Sequence, residues 1–366
     1  MRRPALFLLL AVAPAFTQQI YDEDPVASMA IRETHWKQMQ AYVSAVTEAA
    51  RSDGLYPADY SSPGAFLRTI EPLRQVLRNR TGYPPPGFLA EAKARFEQFA
   101  QDAAATYYRC YVSVAPGMEA YGLYLVPRKA RFPAPLVIAQ HGGGGFPELA
   151  TFQGGGNYKD MVRGAVAQGY VVFAPLHIFY PYKDRDHGSP IPEKVREQFD
   201  EQLRAAGTSL AAVEVAEISR ALDALLERRE VDRNRVAMIG LSYGGFYTMY
   251  TAAVEPRIQV AVASCSFREQ PDAGRVKPGG RLIDLAPADV AALVCPRPLQ
   301  VQSGVSDKLL PIDSARSAAA RAARYYARLG VPERFEFQAF DGGHEFRGDL
   351  AWAFLNKHLT RRKTRP

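Results

Sequence analysis

The distribution of apolar residues divides the chain into a helical first part and a second part in which short strands alternate with helices. From residue 18 to about residue 105, apolar residues recur at helical spacing, and proline and glycine separate the helical segments. This pattern predicts a helical N-terminal extension over residues 18–105. From residue 106 onward, short apolar or β-rich runs alternate with helical segments, and residues 106–360 are predicted to form one α/β domain.

Near-continuous apolar runs in the second part predict strands that are buried on both faces of a sheet. Three of them are "LVIA" at 136–139, "YVVFAP" at 170–175 and "VAMI" at 236–239. Such strands, joined by helices, are typical of a mostly parallel central sheet with helices on both faces. Two earlier β-rich runs are separated by Pro116-Gly117, which is a hairpin signal and predicts antiparallel strands at one edge.

The two ends of the chain carry most of its excess positive charge. Arg2 and Arg3 precede an apolar run at 5–13 that is too short to span a membrane, and small residues follow it. We therefore expect residues 1–17 to be a cleaved signal peptide, the protein to be exported, and the mature chain to have no membrane span. The formal net charge is +7, but the signal and the basic tail at 361–366 account for six basic residues, which leaves the remainder near +1. This balance predicts no nucleic-acid partner, and the sequence does not indicate an oligomeric state.

The three cysteines, Cys110, Cys265 and Cys295, do not form the disulfide framework of a small exported domain. Cys265 is predicted to follow the carboxyl end of one strand, and Cys295 to precede the amino end of the next. Neighbouring parallel strands hold such positions too far apart for a disulfide, so we expect no Cys265–Cys295 bridge.

The stretch "GLSYG" at 240–244 has the spacing G-x-S-x-G between a predicted strand and a predicted helix. A sharp strand-to-helix turn exposes its central side chain, and glycine two residues to either side avoids collisions with the backbone. The pattern therefore predicts that Ser242 is a nucleophile at such a turn.

A glycine-rich loop, "HGGGG" at 141–145, directly follows another predicted strand. A tetrahedral oxyanion needs two main-chain N–H groups aimed at it, and glycine leaves room for close approach. We expect Gly143, or else Gly144, to supply one donor and Tyr243 the other. The alternative is a flexible loop without this role, and His141 is interpreted as a structural turn residue.

Two further residues complete a candidate catalytic set. Asp307 and His344 each follow a predicted strand, and with Ser242 they occur in the order Ser, Asp, His. A serine hydroxyl needs a base, and that base needs an orienting carboxylate, so His344 is the predicted base and Asp307 the predicted acid. A second acidic cluster, Glu269 and Asp272, follows the preceding strand and remains the alternative source of the acid.

Over residues 106–360 the chain resembles the α/β-hydrolase superfamily. The sequence G-x-S-Y-G-G at 240–245 is typical of the branch shared by dienelactone-hydrolase-like esterases, acetyl-ester hydrolases and prolyl-oligopeptidase-like peptidases. The resemblance implies the α/β-hydrolase fold, the triad Ser242, Asp307 and His344, and no metal or organic cofactor. The N-terminal extension lies outside it.

These features favour a secreted serine hydrolase of carboxylic esters, short acyl and acetyl esters first, with a small-molecule ester as its partner. An oligopeptidase-type serine peptidase and a non-catalytic binding protein on the same fold are the alternatives. An insertion at 178–207 contains Phe179, Tyr180 and Tyr182, which would either line the pocket or cover the edge of the core.

Overall fold

The computed structural model describes residues 24–52, 55–153, 156–177, 195–269 and 285–359. The expected signal peptide, the basic tail and the three aromatic residues of the insertion lie outside these ranges. The chain divides into two compact units, residues 1–54 and residues 55–366.

In the first unit, the described residues form one long helix, α1 (Met29–Ser52). Large apolar side chains of this helix, including Trp36 and Tyr42, are exposed. Among the helices of the described residues, none is both long and apolar enough to cross a membrane.

The described part of the second unit is built on a nine-stranded sheet. Its strands are β1 (Ala94–Gln101), β2 (Ala105–Ala115), β3 (Met118–Pro127), β4 (Ala134–Gln140), β5 (Val171–Pro175), β6 (Val231–Leu241), β7 (Val260–Ser264), β8 (Leu299–Gly304) and β9 (Phe335–Phe340). The spatial order is β1-β2-β3-β5-β4-β6-β7-β8-β9. In this spatial order, every neighbouring pair among β5, β4, β6, β7, β8 and β9 is parallel. At the other edge, β1, β2 and β3 pair antiparallel with one another in turn, and β3 pairs antiparallel with β5. The predicted fold class and the predicted antiparallel edge are confirmed.

Helices cover both faces of this sheet. The helices of the second unit are α2 (Pro63–Thr69), α3 (Glu71–Thr81), α4 (Pro147–Phe152), α5 (Met161–Ala167), α6 (Val195–Ala205), α7 (Leu210–Leu225), α8 (Tyr243–Val254), α9 (Pro287–Val294), α10 (Ile312–Arg328) and α11 (Gly348–His358). Helices α7 and α8 pack on one face, with α9 against α8 and α10 against α9, while α4, α5 and α11 pack on the other.

The central strands supply side chains to both layers of the core. On β4, Leu136 and Ile138 join the core beneath α7 and α8, whereas Val137 and Ala139 join the core beneath α5 and α11. Because successive side chains of a strand point to opposite faces, only a run of consecutive apolar residues can fill both layers. This explains the apolar runs in the sequence.

The prediction of helix up to residue 105 is wrong for residues 94–101, which form the edge strand β1. Phe96 and Phe99 lie three residues apart, which in a helix would place them on one face. In the strand they point to opposite faces, and each packs against a different core layer. Pairing with β2 outweighed the local helical pattern here.

The helices α2 and α3, also within the predicted extension, belong to the second unit. Their buried residues Phe66, Ile70, Leu73 and Leu77 are part of the same core as α7 and α8. The boundary between the two units therefore lies at residues 54 and 55 rather than at residue 105.

Cys110, Cys265 and Cys295 are all buried free thiols. The expected absence of a Cys265–Cys295 bridge is confirmed.

The side chain of Arg297, after α9, holds together the ends of two helices. Its guanidinium donates hydrogen bonds to main-chain carbonyl groups of Glu255 and Ile258, which follow α8, and of Val294 at the end of α9. Burial lowers the pKa of Arg297 to about 10, so the group is still charged at neutral pH.

We expect Arg297→Leu to lower the free energy of unfolding by about 2–4 kcal/mol, because it removes a buried guanidinium that donates five hydrogen bonds to main-chain carbonyl groups. Urea denaturation measures the change. Arg233→Leu is the matched control, since Arg233 and its partner Glu227 are both mostly exposed, and it should change stability by less than about 0.5 kcal/mol. Equal effects of the two substitutions would contradict this role of Arg297.

Candidate active site

Ser242 lies on a strained turn between β6 and α8. Its φ of 60° and ψ of −118° are unusual for a residue with a side chain. A Cβ atom on Gly244 would lie 2.2 Å from the carbonyl oxygen of Gln140, and one on Gly240 would lie 2.3 Å from the main chain of Gly244. Glycine is therefore required on both sides of the serine, as the G-x-S-x-G spacing predicted.

Asp307 and His344 meet at the edge of the sheet where β8 and β9 end. The Nδ1 atom of His344 lies 2.7 Å from Oδ2 of Asp307. The other carboxylate oxygen, Oδ1, accepts hydrogen bonds from the main-chain N–H groups of Leu309 at 2.8 Å and Leu310 at 3.1 Å. Because both oxygens of Asp307 are engaged, the carboxylate fixes the orientation of the imidazole through Nδ1, and Nε2 has no contact with Asp307.

Glu269, the alternative acid, points elsewhere. It is exposed, its carboxylate accepts a hydrogen bond from the hydroxyl of Ser317 on α10, and its main-chain N–H donates to Ser314 Oγ at 3.0 Å. The contacts of His344 therefore favour Asp307 as its partner. Asp272 lies outside the described residues.

Ser264, at the end of β7, connects the turn that carries Ser242 to the loop that carries His344. Its carbonyl oxygen accepts the N–H of Ser242 at 2.8 Å, and its hydroxyl donates to the carbonyl oxygen of Glu345 at 3.1 Å. Within the described residues, the hydroxyl of Ser242 makes no direct hydrogen bond to His344. Such bonds are often long before substrate binds.

The glycine-rich loop after β4 lies directly against the serine. A Cβ atom on Gly142 would be 3.3 Å from that of Ser242. The N–H of Gly145 donates to the carbonyl oxygen of Gly142 at 3.1 Å, and Gly144 has a φ of 74°, so residues 142–145 form a tight turn. The N–H of Gly142 donates to the hydroxyl of Tyr158 at 3.0 Å, which holds the turn in place.

This turn leaves two donors for a ligand. In the parts of the chain that the structure describes, the N–H groups of Gly143 and Gly144 make no hydrogen bond to the protein. Tyr243 is the first residue of α8, and N–H groups of a first helical turn have no acceptor within their helix. The assignment of these three residues to an oxyanion hole stays a prediction.

His141 is a structural residue, as its position before the glycines suggested. It is buried, and its Nε2 accepts the main-chain N–H of His177 at 3.1 Å. Its Nδ1 therefore carries the proton and donates to the carbonyl oxygen of Gly142 at 2.9 Å. Burial lowers the pKa of His141 to about 4, so the ring is neutral and supports the glycine-rich turn.

One buried polar cluster beside the serine had no signal in the sequence. The guanidinium of Arg196, on α6, lies 5.9 Å from the centre of the Tyr243 ring. It also lies 3.4 Å from the carboxylate of Glu214 and 3.3 Å from the hydroxyl of Tyr247. These contacts anchor α6, the described part of the predicted insertion, next to the residue that follows Ser242.

Comparison with known proteins gives matches in sequence and in structure. Residues 197–269, which include Ser242, match the sequence model of the prolyl oligopeptidase family. The chain is 23% identical over 244 residues to YtaP of Bacillus subtilis (strain 168), a protein named as a hydrolase, and the match covers 62% of this chain and 78% of YtaP.

Solved structures of esterases share the fold at low sequence identity. A glucuronoyl esterase from Solibacter usitatus superposes with a TM-score of 0.63 and 15% identity, covering 85% of this chain and 99% of that chain. Acetyl xylan esterase 1 from Thermoanaerobacterium sp. JW/SL YS485 gives a TM-score of 0.51 and 19% identity, covering 83% and 97% of the two chains. Together with the parallel sheet and the strained serine turn, these matches show that the chain has the α/β-hydrolase fold.

Proposed function

We propose that the protein is a serine hydrolase of carboxylic esters, with Ser242 as nucleophile, His344 as base and Asp307 as the orienting acid. The observation that carries the proposal is the 2.7 Å contact between His344 and Asp307, at the same edge of the sheet as the strained Ser242. A hydroxyl on a sharp turn and an imidazole oriented by a carboxylate, both at one edge of the sheet, are the groups that a serine nucleophile needs.

In the first half of the reaction, the hydroxyl oxygen of Ser242 attacks the ester carbonyl carbon, and Nε2 of His344 takes its proton. Asp307 stabilises the imidazolium that forms. The N–H groups of Gly143 or Gly144 and of Tyr243 donate to the oxyanion of the tetrahedral intermediate. Donors that are already in place act where the charge develops and need no rearrangement during the reaction.

Collapse of the intermediate breaks the bond to the alcohol, which leaves with the proton from His344. The acyl group stays on Ser242. In the second half, His344 takes a proton from water while the water oxygen attacks the acyl-enzyme. His344 then returns this proton to the oxygen of Ser242 as the bond to the acyl group breaks, and the carboxylic acid is released.

We propose that the substrates are small-molecule esters of short acyl groups, and that acetyl esters are preferred. The structural neighbours named as acetyl xylan esterase and glucuronoyl esterase support an ester rather than an amide. We also propose export, because the basic and apolar residues at 2–13 have the pattern of a signal peptide. A serine peptidase is the second candidate, and the match to the prolyl oligopeptidase family favours it.

Ser242→Ala should lower the turnover of acetyl esters by roughly 10³-fold or more, because it removes the attacking oxygen. Circular dichroism should show an unchanged fold. Ser113→Ala, on β2 and away from the site, is the control and should keep normal turnover. Normal turnover by Ser242→Ala would refute the proposed mechanism.

Asp307→Asn should lower turnover by roughly 10³–10⁴-fold, because the neutral amide no longer stabilises the cationic form of His344. Glu269→Gln is the matched control and should be nearly silent, since Glu269 contacts α10 instead. The reverse result would assign the acid to Glu269.

A panel of substrates separates the two candidate functions. We expect the purified protein to hydrolyse acetyl esters, including acetylated sugars, much faster than dipeptidyl or prolyl amides. Faster cleavage of the amides would favour the peptidase.

A further inference from the structure

Cys265 lies immediately beside the catalytic pair without a part in the proposed reaction. It follows β7 in a left-handed conformation, with a φ of 47°, and its N–H donates to the carbonyl oxygen of Gln302 at 2.8 Å. Its Sγ lies 3.4 Å from the carbonyl oxygen of Glu345, so the thiol packs under the loop that carries His344. Burial raises the pKa of the Cys265 thiol to about 11, which makes it a neutral group at neutral pH.

One ligand atom each from Cys265, Asp307 and His344 lie within 4.8 Å of one another. Sulfur, imidazole nitrogen and carboxylate oxygen together form a donor set that Zn²⁺ prefers. In a tetrahedral zinc site with bonds of about 2.0–2.3 Å, ligand atoms lie about 3.3–3.6 Å apart. Two side-chain rotations would bring the ligand atoms to these distances. One moves the thiol by about 1 Å, and the other opens the 2.7 Å contact between His344 and Asp307.

The main chain restricts the possible movement of these ligands. Oδ1 of Asp307 is held by two N–H groups, so Oδ2 is the oxygen that faces His344. The N–H of Cys265 is bonded to β8. Because these main-chain contacts are already in place, cation binding has to reorient only the side chains.

We propose that Cys265, Asp307 and His344 form an inhibitory Zn²⁺ site, in which water is the fourth ligand. Binding releases two protons, one from the thiol of Cys265 and one that His344 Nδ1 shares with Asp307, and it involves no oxidation or reduction. Metal on Nδ1 lowers the basicity of Nε2 and separates His344 from Asp307, so His344 no longer activates Ser242. The inhibition rests on the proposed function, whereas the binding of the metal does not.

Cobalt binding tests the site without relying on activity. We expect Co²⁺ to give a thiolate-to-metal charge-transfer absorption with the wild-type chain and with Ser242→Ala. The band should be lost in Cys265→Ala and kept in Cys110→Ala, a control on β2 that removes another buried thiol. A band that persists in Cys265→Ala, or no band in the wild type, overturns the proposal. Should Cys265→Ala fail to fold, His344→Ala replaces it. An unchanged band in that variant would also overturn the proposal.

Inhibition by Zn²⁺ tests the consequence. Each variant's rate of acetyl-ester hydrolysis is measured relative to its own rate without metal. The Zn²⁺ concentration for half-inhibition should rise about 10–100-fold in Cys265→Ala and stay unchanged in Cys110→Ala, because loss of a ligand weakens the site. A chelator should restore the wild-type rate. Equal sensitivity of the two variants would overturn the proposal.

The two experiments separate this site from the proposed function. A cobalt band in a protein that hydrolyses no ester would leave the metal site intact and refute the esterase. Hydrolysis of esters without a cobalt band would refute the metal site and leave the esterase proposal standing.

Discussion

Parallel pairing of β8 with β9 is the constraint on which the candidate site depends. It places Gly304 opposite Phe340, so the loops that follow these two strands leave the sheet side by side. A side chain at Gly304 would collide with the His344 loop, since its Cβ atom would lie 2.1 Å from the carbonyl oxygen of Gly343. Without this close approach, the imidazole would not reach the carboxylate of Asp307. The same carboxyl edge carries the glycine-rich turn after β4, Ser242 after β6 and Cys265 after β7.

Contacts with neighbouring strands hold the backbone of Ser242 in its strained conformation. The N–H of Ser242 is bonded to Ser264, and the glycines on either side allow β4, β6 and α8 to approach closely. A strained backbone persists only when neighbouring contacts determine it, and such residues occur often at catalytic sites. In this protein the contacts come from the buried centre of the sheet, where two core layers hold the strands.

Much of this arrangement could be predicted from the sequence, because the apolar runs that define buried strands also locate the residues that follow them. Ser242 comes directly after such a run, and Asp307 and His344 each follow a further predicted strand within a few residues, so their shared edge follows from parallel pairing. The edge strand β1 was mistaken for a helix because the spacing of Phe96 and Phe99 suits a helical face as well as two faces of a strand. Tyr158, Ser264 and Arg196 could not be found, since each acts through a contact with a distant segment and has no local motif.

Covalent labelling shows whether Ser242 is the nucleophile. A fluorophosphonate probe reacts with an activated serine, and peptide mass spectrometry then locates the adduct. We expect a single adduct on Ser242 in the folded protein and none after denaturation. An adduct on a different residue, or no adduct in protein shown to be folded, would rule out Ser242 as the nucleophile.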